Sequence, residues 1–248
     1  LFVLLFSVLS FSASAASPAE GGEFKPGDMI MHHISDAHEI HILGDFAIYL
    51  PVIVKTDNGI TIFSSSHLYH NPQSDNGVEY FEHDGIIMVH EHLHQANEEG
   101  GISLNENHEV TNAPVLDLSI TKSIAGMFIA IALLILLFSS VAAKYKKTGT
   151  LQTPKGLQSF MEPLILFIRD EVAVPSIGKH KADKFMPFLL TTFFFIWISN
   201  ILGLIPFIGG FNITGTLSVT LVLAAIVFII TSINGNAHYW GHILWPPN

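Results

Sequence analysis

The sequence predicts an α-helical polytopic membrane protein: three transmembrane helices in this stretch, with a small β-rich extracytoplasmic domain ahead of them. Three observations carry that expectation. After Lys184 no Asp, Glu, Lys or Arg occurs, so Phe185 to Asn248 hold nothing formally charged apart from histidine. A charge at the bilayer centre costs about 3 kcal/mol on insertion scales, whereas a soluble domain of this size needs charged residues on its surface. Next, Ser123 to Ala143 run without a charge between Lys122 and Lys144-Tyr145-Lys146-Lys147. Finally, the charge changes sign across that run. Residues 17–122 carry seventeen acids against Lys25, Lys55 and Lys122, and residues 144–184 carry eight bases against four acids. The positive-inside rule then makes the basic segment cytoplasmic.

The whole chain of 248 residues is 49% hydrophobic with a mean hydropathy of +0.46, too apolar for an average soluble protein. The acidic first half offers no basic stripe to neutralise phosphates, which excludes nucleic acid as a partner. Cysteine is absent, so neither disulfides nor thiolate metal sites enter.

In chain order, LFVLLFSVLSF followed by SASAAS matches the apolar core and small-residue cleavage region of a secretory signal peptide over residues 1–16, with cleavage after Ala15 or Ala16. The apolar run is shorter than the roughly 20 residues a spanning helix needs. Residues 17–119 form a His-rich, acidic domain outside the cytoplasm. Ala47 to Val54, the Asp57-Asn58-Gly59 turn and Ile60 to Phe63 predict a β-hairpin, because Asn-Gly readily takes positive φ. A second hairpin is expected around His83-Asp84-Gly85, with Tyr80 to Glu82 before it and Ile86 to His94 after it. The Gly/Asn/Glu-rich stretches Ser17 to Asp28 and Gln95 to Ala113 read as linkers.

The membrane domain, residues 120–248, is expected to hold spans at about 123–143, 185–208 and 213–233, with a cytoplasmic segment at 144–184. Within that segment Leu157, Phe160, Met161, Leu164 and Ile168 recur at helical spacing, which predicts an amphipathic helix broken or started at Pro163. Gly209-Gly210 allows the reversal between the last two spans.

Eleven of the 14 histidines fall between His32 and His108. His90-Glu91-His92-Leu93-His94 formally satisfies H-E-x-x-H. On a helix His90 and His94 would share a face and bind zinc while Glu91 activates water; on a strand His90, His92 and His94 share a face. Two functional readings follow: a membrane metal transporter or sensor with a metal-capturing ectodomain, and a membrane-anchored zinc hydrolase. The plainer reading is a solvated polar face. Elsewhere, Asn200 places an amide in the middle of an apolar span, where hydrocarbon offers no partner; its plain reading is a polar tie between helices.

The order Pro187, Thr191-Thr192-Phe193-Phe194-Phe195 and Asn200-Ile201-Leu202-Gly203-Leu204-Ile205-Pro206 resembles the second spanning helix of subunit a of F-type ATP synthases. Phe160-Met161-Glu162-Pro163, Ile168-Arg169-Asp170-Glu171 and Thr220 to Ala224 agree with it, and the resemblance covers roughly residues 120 to 248. It implies a proton-channel (stator) subunit of the membrane sector, with no bond-making chemistry and no cofactor. Its partners would be the c-ring and peripheral stalk subunits. Its place would be the bacterial inner membrane, with the N-terminal domain periplasmic. The same resemblance makes Asn200 a proton-path residue, with Ser218 and Thr220 as further candidates, although many family members carry Asn where Ser218 stands. Gly203, where some members carry an acid, and Pro206 are expected to serve helix packing and helix ending. Arg169 is the only arginine and lies in the cytoplasmic segment; the family's essential rotor-facing arginine would lie beyond Asn248.

Overall fold

The computed structural model describes residues 36–43, 46–56, 59–149, 153–205 and 210–244. The signal-peptide expectation, His32, His33, the Asp57-Asn58 turn residues, Pro206 and Gly209 lie outside them.

The N-terminal part is β-rich. A two-stranded ribbon pairs β1 (Glu39–Leu43) with β2 (Phe46–Tyr49). A three-stranded sheet has the order β4-β3-β9, from β3 (Pro51–Thr56), β4 (Gly59–Ser64) and β9 (Leu116–Asp117). A four-stranded meander runs β5 (Gln73–Asp75), β6 (Val78–His83), β7 (Ile86–Val89) and β8 (His92–Gln95). The first expected hairpin is present as β3 and β4, in register from Pro51 opposite Ser64 to Thr56 opposite Gly59. Its first strand does not extend back through Ala47, however: the chain breaks at Leu50, and β2 pairs with β1 instead.

Alternation decides the core of this domain. Val52 and Val54 on β3 point inward and are fully buried with Leu68, Ile86, Met88 and Leu93. Across β7, Ile87 and Val89 face a second cluster with Tyr80 and Ile102, so all four β7 residues are buried. A strand covered on both faces reads as a continuous apolar run.

Residues 95–113 are not a linker. Asn112, 8% exposed, donates from Nδ2 to the carbonyls of Gln95 and Gly101, and its Oδ1 accepts the Ser103 N–H. Asn97 closes the neighbouring turn by accepting the Glu99 and Gly101 N–H groups. Amide side chains that substitute for backbone partners turn a polar sequence into an ordered loop.

Among the described residues three helices are long and apolar enough to cross a membrane: α1 (Lys122–Thr148), α4 (Lys179–Leu204) and α5 (Leu217–Asn234). Between the first two lie α2 (Leu157–Phe167), a π-helical stretch at Ile168–Ala173 and α3 (Val174–Ile177); α6 (Ala237–Leu244) follows α5. Helix α2 continues through Pro163 instead of breaking there. The hydrogen bond the proline forgoes is to the carbonyl of Ser159, an exposed residue that water can reach. Tyr145 Oη donates to Glu162 Oε2 at 2.9 Å, tying the basic end of α1 to α2. At mid-length Val141, Met161 and Phe194 form a buried contact among α1, α2 and α4. A separate core at the other end joins Ala130, Ile198, Leu202, Phe211 and Ile213 to Ile40 and Leu50 of the β-rich part.

Candidate functional site

The polar residues singled out on the spans gather near the end of the helices that meets the β-rich part. Asn200 is four residues from the last residue of α4, not in the middle of the span. The helix stops at Leu204 because Ile205 is extended (φ −94°, ψ 99°), as a residue preceding proline prefers. Its side chain is exposed, and Oδ1 accepts a hydrogen bond from Thr214 Oγ1 at 2.7 Å. Helix α5 begins only at Leu217, because residues 213–216 form a polar turn in which Thr216 Oγ1 donates to the Asn212 carbonyl.

The other candidates are placed differently. Thr220 turns its hydroxyl back onto the Leu217 carbonyl at 3.0 Å, within its own helix. Ser218 is exposed. Among the described residues no hydrogen bond joins either of them to Asn200. Gly203 stands where α4 and the following loop come together: a Cβ there would lie 2.7 Å from the Phe211 carbonyl oxygen. On α1, a Cβ at Gly126 would lie 2.6 Å from Phe211 Cδ1. Two glycines from two helices thus make room for one buried phenylalanine. Next to Asn200, Ser199 is 1% exposed, and its Oγ has no partner among the described residues.

The histidine motif takes neither of the forms its spacing suggested. His90 (φ 48°) and Glu91 (φ 66°) are the two turn residues between β7 and β8, a turn with positive φ at both positions that matches the twist of the flanking strands. His90 therefore leaves the strand face on which His92 and His94 remain, and no helix exists to align His90 with His94. Elsewhere, His67, His70 and His83 line an open cavity of about 530 Å³ with Glu82. The rings of His67 and His83 stack at 4.3 Å with planes 8° apart, so their nitrogen lone pairs lie in parallel planes and do not converge on one ion. Among the described residues no group of three or more His, Asp or Glu side chains is arranged to hold a metal.

The motif's Glu91 belongs instead to a buried acid–base cluster that the sequence reading missed. His38, 1% exposed, places Nε2 3.2 Å from Asp117 Oδ2 and Nδ1 3.9 Å from Glu91 Oε2. Tyr69 Oη donates to Glu91 Oε2 at 2.6 Å and accepts the His38 N–H at 3.1 Å. Burial, with Glu91 beside it, pushes the Tyr69 phenol up, which keeps it a donor. Lys122, at the start of α1, and Glu39 are buried close by. The spacing Asp36-Ala37-His38-Glu39 was visible in the sequence, but nothing local to it announces Glu91 and Asp117 as partners.

Three comparisons bear on what the chain is similar to. The model of the ATP synthase A chain family matches residues 124–247, and a domain of unknown function (DUF8433) matches residues 29–118. The chain is 33% identical to ATP synthase subunit a 2 of Chlorobaculum tepidum over 224 residues, which is 90% of this chain and 46% of the relative. It is 43% identical to ATP synthase subunit a of Chloroherpeton thalassium over 129 residues, 52% of this chain and 38% of that protein. Against ATP synthase subunit a of an Anaeromyxobacter species the identity is 30% over 244 residues, 94% of this chain and 52% of the relative. The chain thus spans about half the length, or less, of these relatives. No solved structure matches it.

Proposed function

The chain belongs to the ATP synthase A chain family, and on that footing we propose that it serves as the proton-channel (stator) subunit of an F-type ATP synthase membrane sector. It carries protons to and from a c-ring and is held by peripheral stalk subunits. It makes and breaks no covalent bonds itself. The observation that carries this reading is Asn200: on a largely apolar helix end its amide is exposed, and its Oδ1 accepts a hydrogen bond from Thr214 Oγ1. A polar side chain facing away from the packed helices there suits a hydrated path or a partner, since hydrocarbon satisfies neither its donors nor its acceptors. Ser218 and Thr220 are placed on the same path with Asn200, while Gly203 and Pro206 hold and end the helix.

The β-rich domain lies outside the cytoplasm, in the periplasm of a bacterium with an inner membrane, and residues 1–16 direct its export. Residues 17–119 are that domain and residues 120–248 the membrane domain. The basic ends of α1 and α4 (Lys144, Lys146, Lys147, Lys179, Lys181, Lys184) support this orientation by the positive-inside rule. The metal-sensor and zinc-hydrolase readings lack both the family and, among the described residues, a converging ligand set.

Cells deleted for the full-length gene test the reading. Their inverted membrane vesicles should lose ATP-driven proton pumping and regain it with the gene restored; pumping that persists without it overturns the function. A reporter fused near Asn76 should be active outside the cytoplasm and one near Pro154 inside it, and the reverse pattern overturns the orientation.

A further inference from the structure

The ribbon formed by β1 and β2 belongs to neither of the larger sheets. Two strands alone do not hold together in water and need cover on their apolar face. Ile40 and Ile48 are directly opposed in the ladder, so they share one face, and Phe46 lies two residues before Ile48 on that same face. Half of this face is covered. Ile40, 7% exposed, and the partly buried Ile42 pack into the core at the helix ends, with Ala130 of α1 and Ile198 and Leu202 of α4. The other half is bare: Phe46 is 62% exposed and Ile48 44%. The opposite face carries Glu39, His41 and Tyr49, with His41 paired to Glu39 and Tyr49 against the rings of Tyr69 and His70. The ribbon is therefore amphipathic, with Glu39 and Tyr49 of its polar side against the β-rich domain and His41 half exposed, and with its apolar side next to the ends of the spans.

What lies beside that bare half follows from its continuity with the membrane-spanning surface. At the same end of the bundle Leu204, the last residue of α4, is 80% exposed and Leu217, the first of α5, is 76% exposed. Apolar side chains left this open at the ends of apolar helices suit the lipid of a membrane boundary. We propose that the β1–β2 ribbon is an interfacial membrane anchor, with Phe46 and Ile48 seated among the outer-leaflet lipids at the boundary between headgroups and acyl chains. An aromatic and an aliphatic side chain on one face, with polar groups behind them, is the composition that partitions to that boundary. A second copy would need an apolar patch of matching shape, whereas lipid asks only for apolar exposure next to the spans. The inference rests on the orientation proposed above and on helices that cross a membrane, but on nothing of proton conduction, so the anchor and the channel fail separately.

The stretch contains no cysteine, which makes site-specific labelling direct. The full-length protein would carry Phe46→Cys, Ile48→Cys or, as a water-facing control in the turn between β5 and β6, Asn76→Cys. Each would be labelled with an environment-sensitive dye and reconstituted into phosphatidylcholine vesicles, with the signal of the unsubstituted protein subtracted. Quenchers attached near the top of the acyl chains should extinguish the dye at positions 46 and 48 but not at 76, and aqueous iodide should do the reverse. Iodide quenching at 46 and 48 equal to that at 76 would overturn the anchor. Protection from both quenchers would overturn it as well. In that outcome energy transfer between donor- and acceptor-labelled molecules would assign the face to a second copy, and its absence would assign it to another part of the protein.

Discussion

Asp36 caps α1 from outside the helix. Its Oδ1 accepts the Ser123 N–H at 2.8 Å and its Oδ2 accepts Thr121 Oγ1 at 2.9 Å. Thr121 is the N-cap residue and makes no capping bond of its own; the carboxylate of a residue 87 positions away from Ser123 takes that part. Ser123 Oγ in turn meets Thr216 Oγ1 at 3.1 Å, and the Lys122 N–H donates to the Ala37 carbonyl at 2.8 Å. One aspartate thereby joins the β-rich domain to two helix starts and places negative charge at the positive end of a helix dipole.

Asp36→Ala should lower stability by about 1–3 kcal/mol, the range for a lost cap that is also a charge-assisted hydrogen bond. Asp36→Asn keeps an acceptor for Ser123 and should lose less. Thermal unfolding of the full-length protein in detergent measures both, and an unchanged Tm for Asp36→Ala would remove Asp36 from this role.

The second prediction concerns pH. Burial on its own lowers the pKa of His38, but the Asp117 carboxylate, with Glu91 on the other side, outweighs it and raises the group from 6.5 to about 9. Glu39 and Lys122 are the other charged groups of this cluster, and Tyr69 its phenol. A folded-state pKa above the unfolded value means that the stabilisation is fully present below pH 6.5 and is lost as pH rises through about 9. Asp117 acts in the opposite sense. Burial alone would raise it, yet His38 and Ser119 hold it below the usual carboxylate range, so its contribution is lost only as pH falls through that lowered value. The wild-type Tm should therefore decline between neutral pH and about pH 9–10. His38→Gln should flatten that decline even if its overall Tm is lower. A decline of the same slope in His38→Gln would show that His38 does not carry it.

Why some of this was legible in the sequence and some was not has a physical basis. The spans were legible because the bilayer forbids charge over some twenty residues, a constraint every position in the run reports. The β-hairpins were legible where Gly sits in a turn, as at Asp84-Gly85, both with positive φ. The His90–Glu91 turn was not, because it contains neither Gly nor Asn and the run around it fits a helix or a strand equally well. The buried cluster was hidden for a different reason. A charged residue in sequence reads as surface, and His38, Glu91 and Asp117 come from three distant segments that only the tertiary fold brings together. Asn200 was expected in mid-span but lies four residues from the helix end, because apolar composition continues past Leu204 while the helix itself stops there.

The packing at Phe211 gives a third prediction. A methyl at Gly203 meets a backbone oxygen that no rotamer change can move, and one at Gly126 meets a ring that is 2% exposed and boxed in by Ile213. Gly203→Ala and Gly126→Ala should each destabilise by about 1–3 kcal/mol through overpacking. Gly241→Ala, where nothing lies within 4 Å, should be neutral. Equal Tm values for all three variants would show that the two helices do not close on Phe211.

The last prediction asks what Asn200 is for. If its amide served only to tie α4 to the turn before α5 through Thr214, removing it would cost about 0.6–2 kcal/mol of assembly and leave flux per assembled complex unchanged. A channel role predicts the reverse pattern. Asn200→Leu keeps the volume and removes every polar atom, so ATP-driven proton pumping in vesicles, normalised to assembled complex, should slow. Asn200→Ser retains a hydroxyl that can order water and should pump closer to wild type. Thr214→Val separates the two roles from the other side: it removes the donor to Oδ1 but leaves the amide in place, so it should weaken assembly with little effect on normalised pumping. If Asn200→Leu assembles fully and pumps at the wild-type rate, Asn200 is neither tie nor channel residue. If instead Asn200→Leu and Thr214→Val lose assembly equally and pump equally well once assembled, the amide is a tie alone.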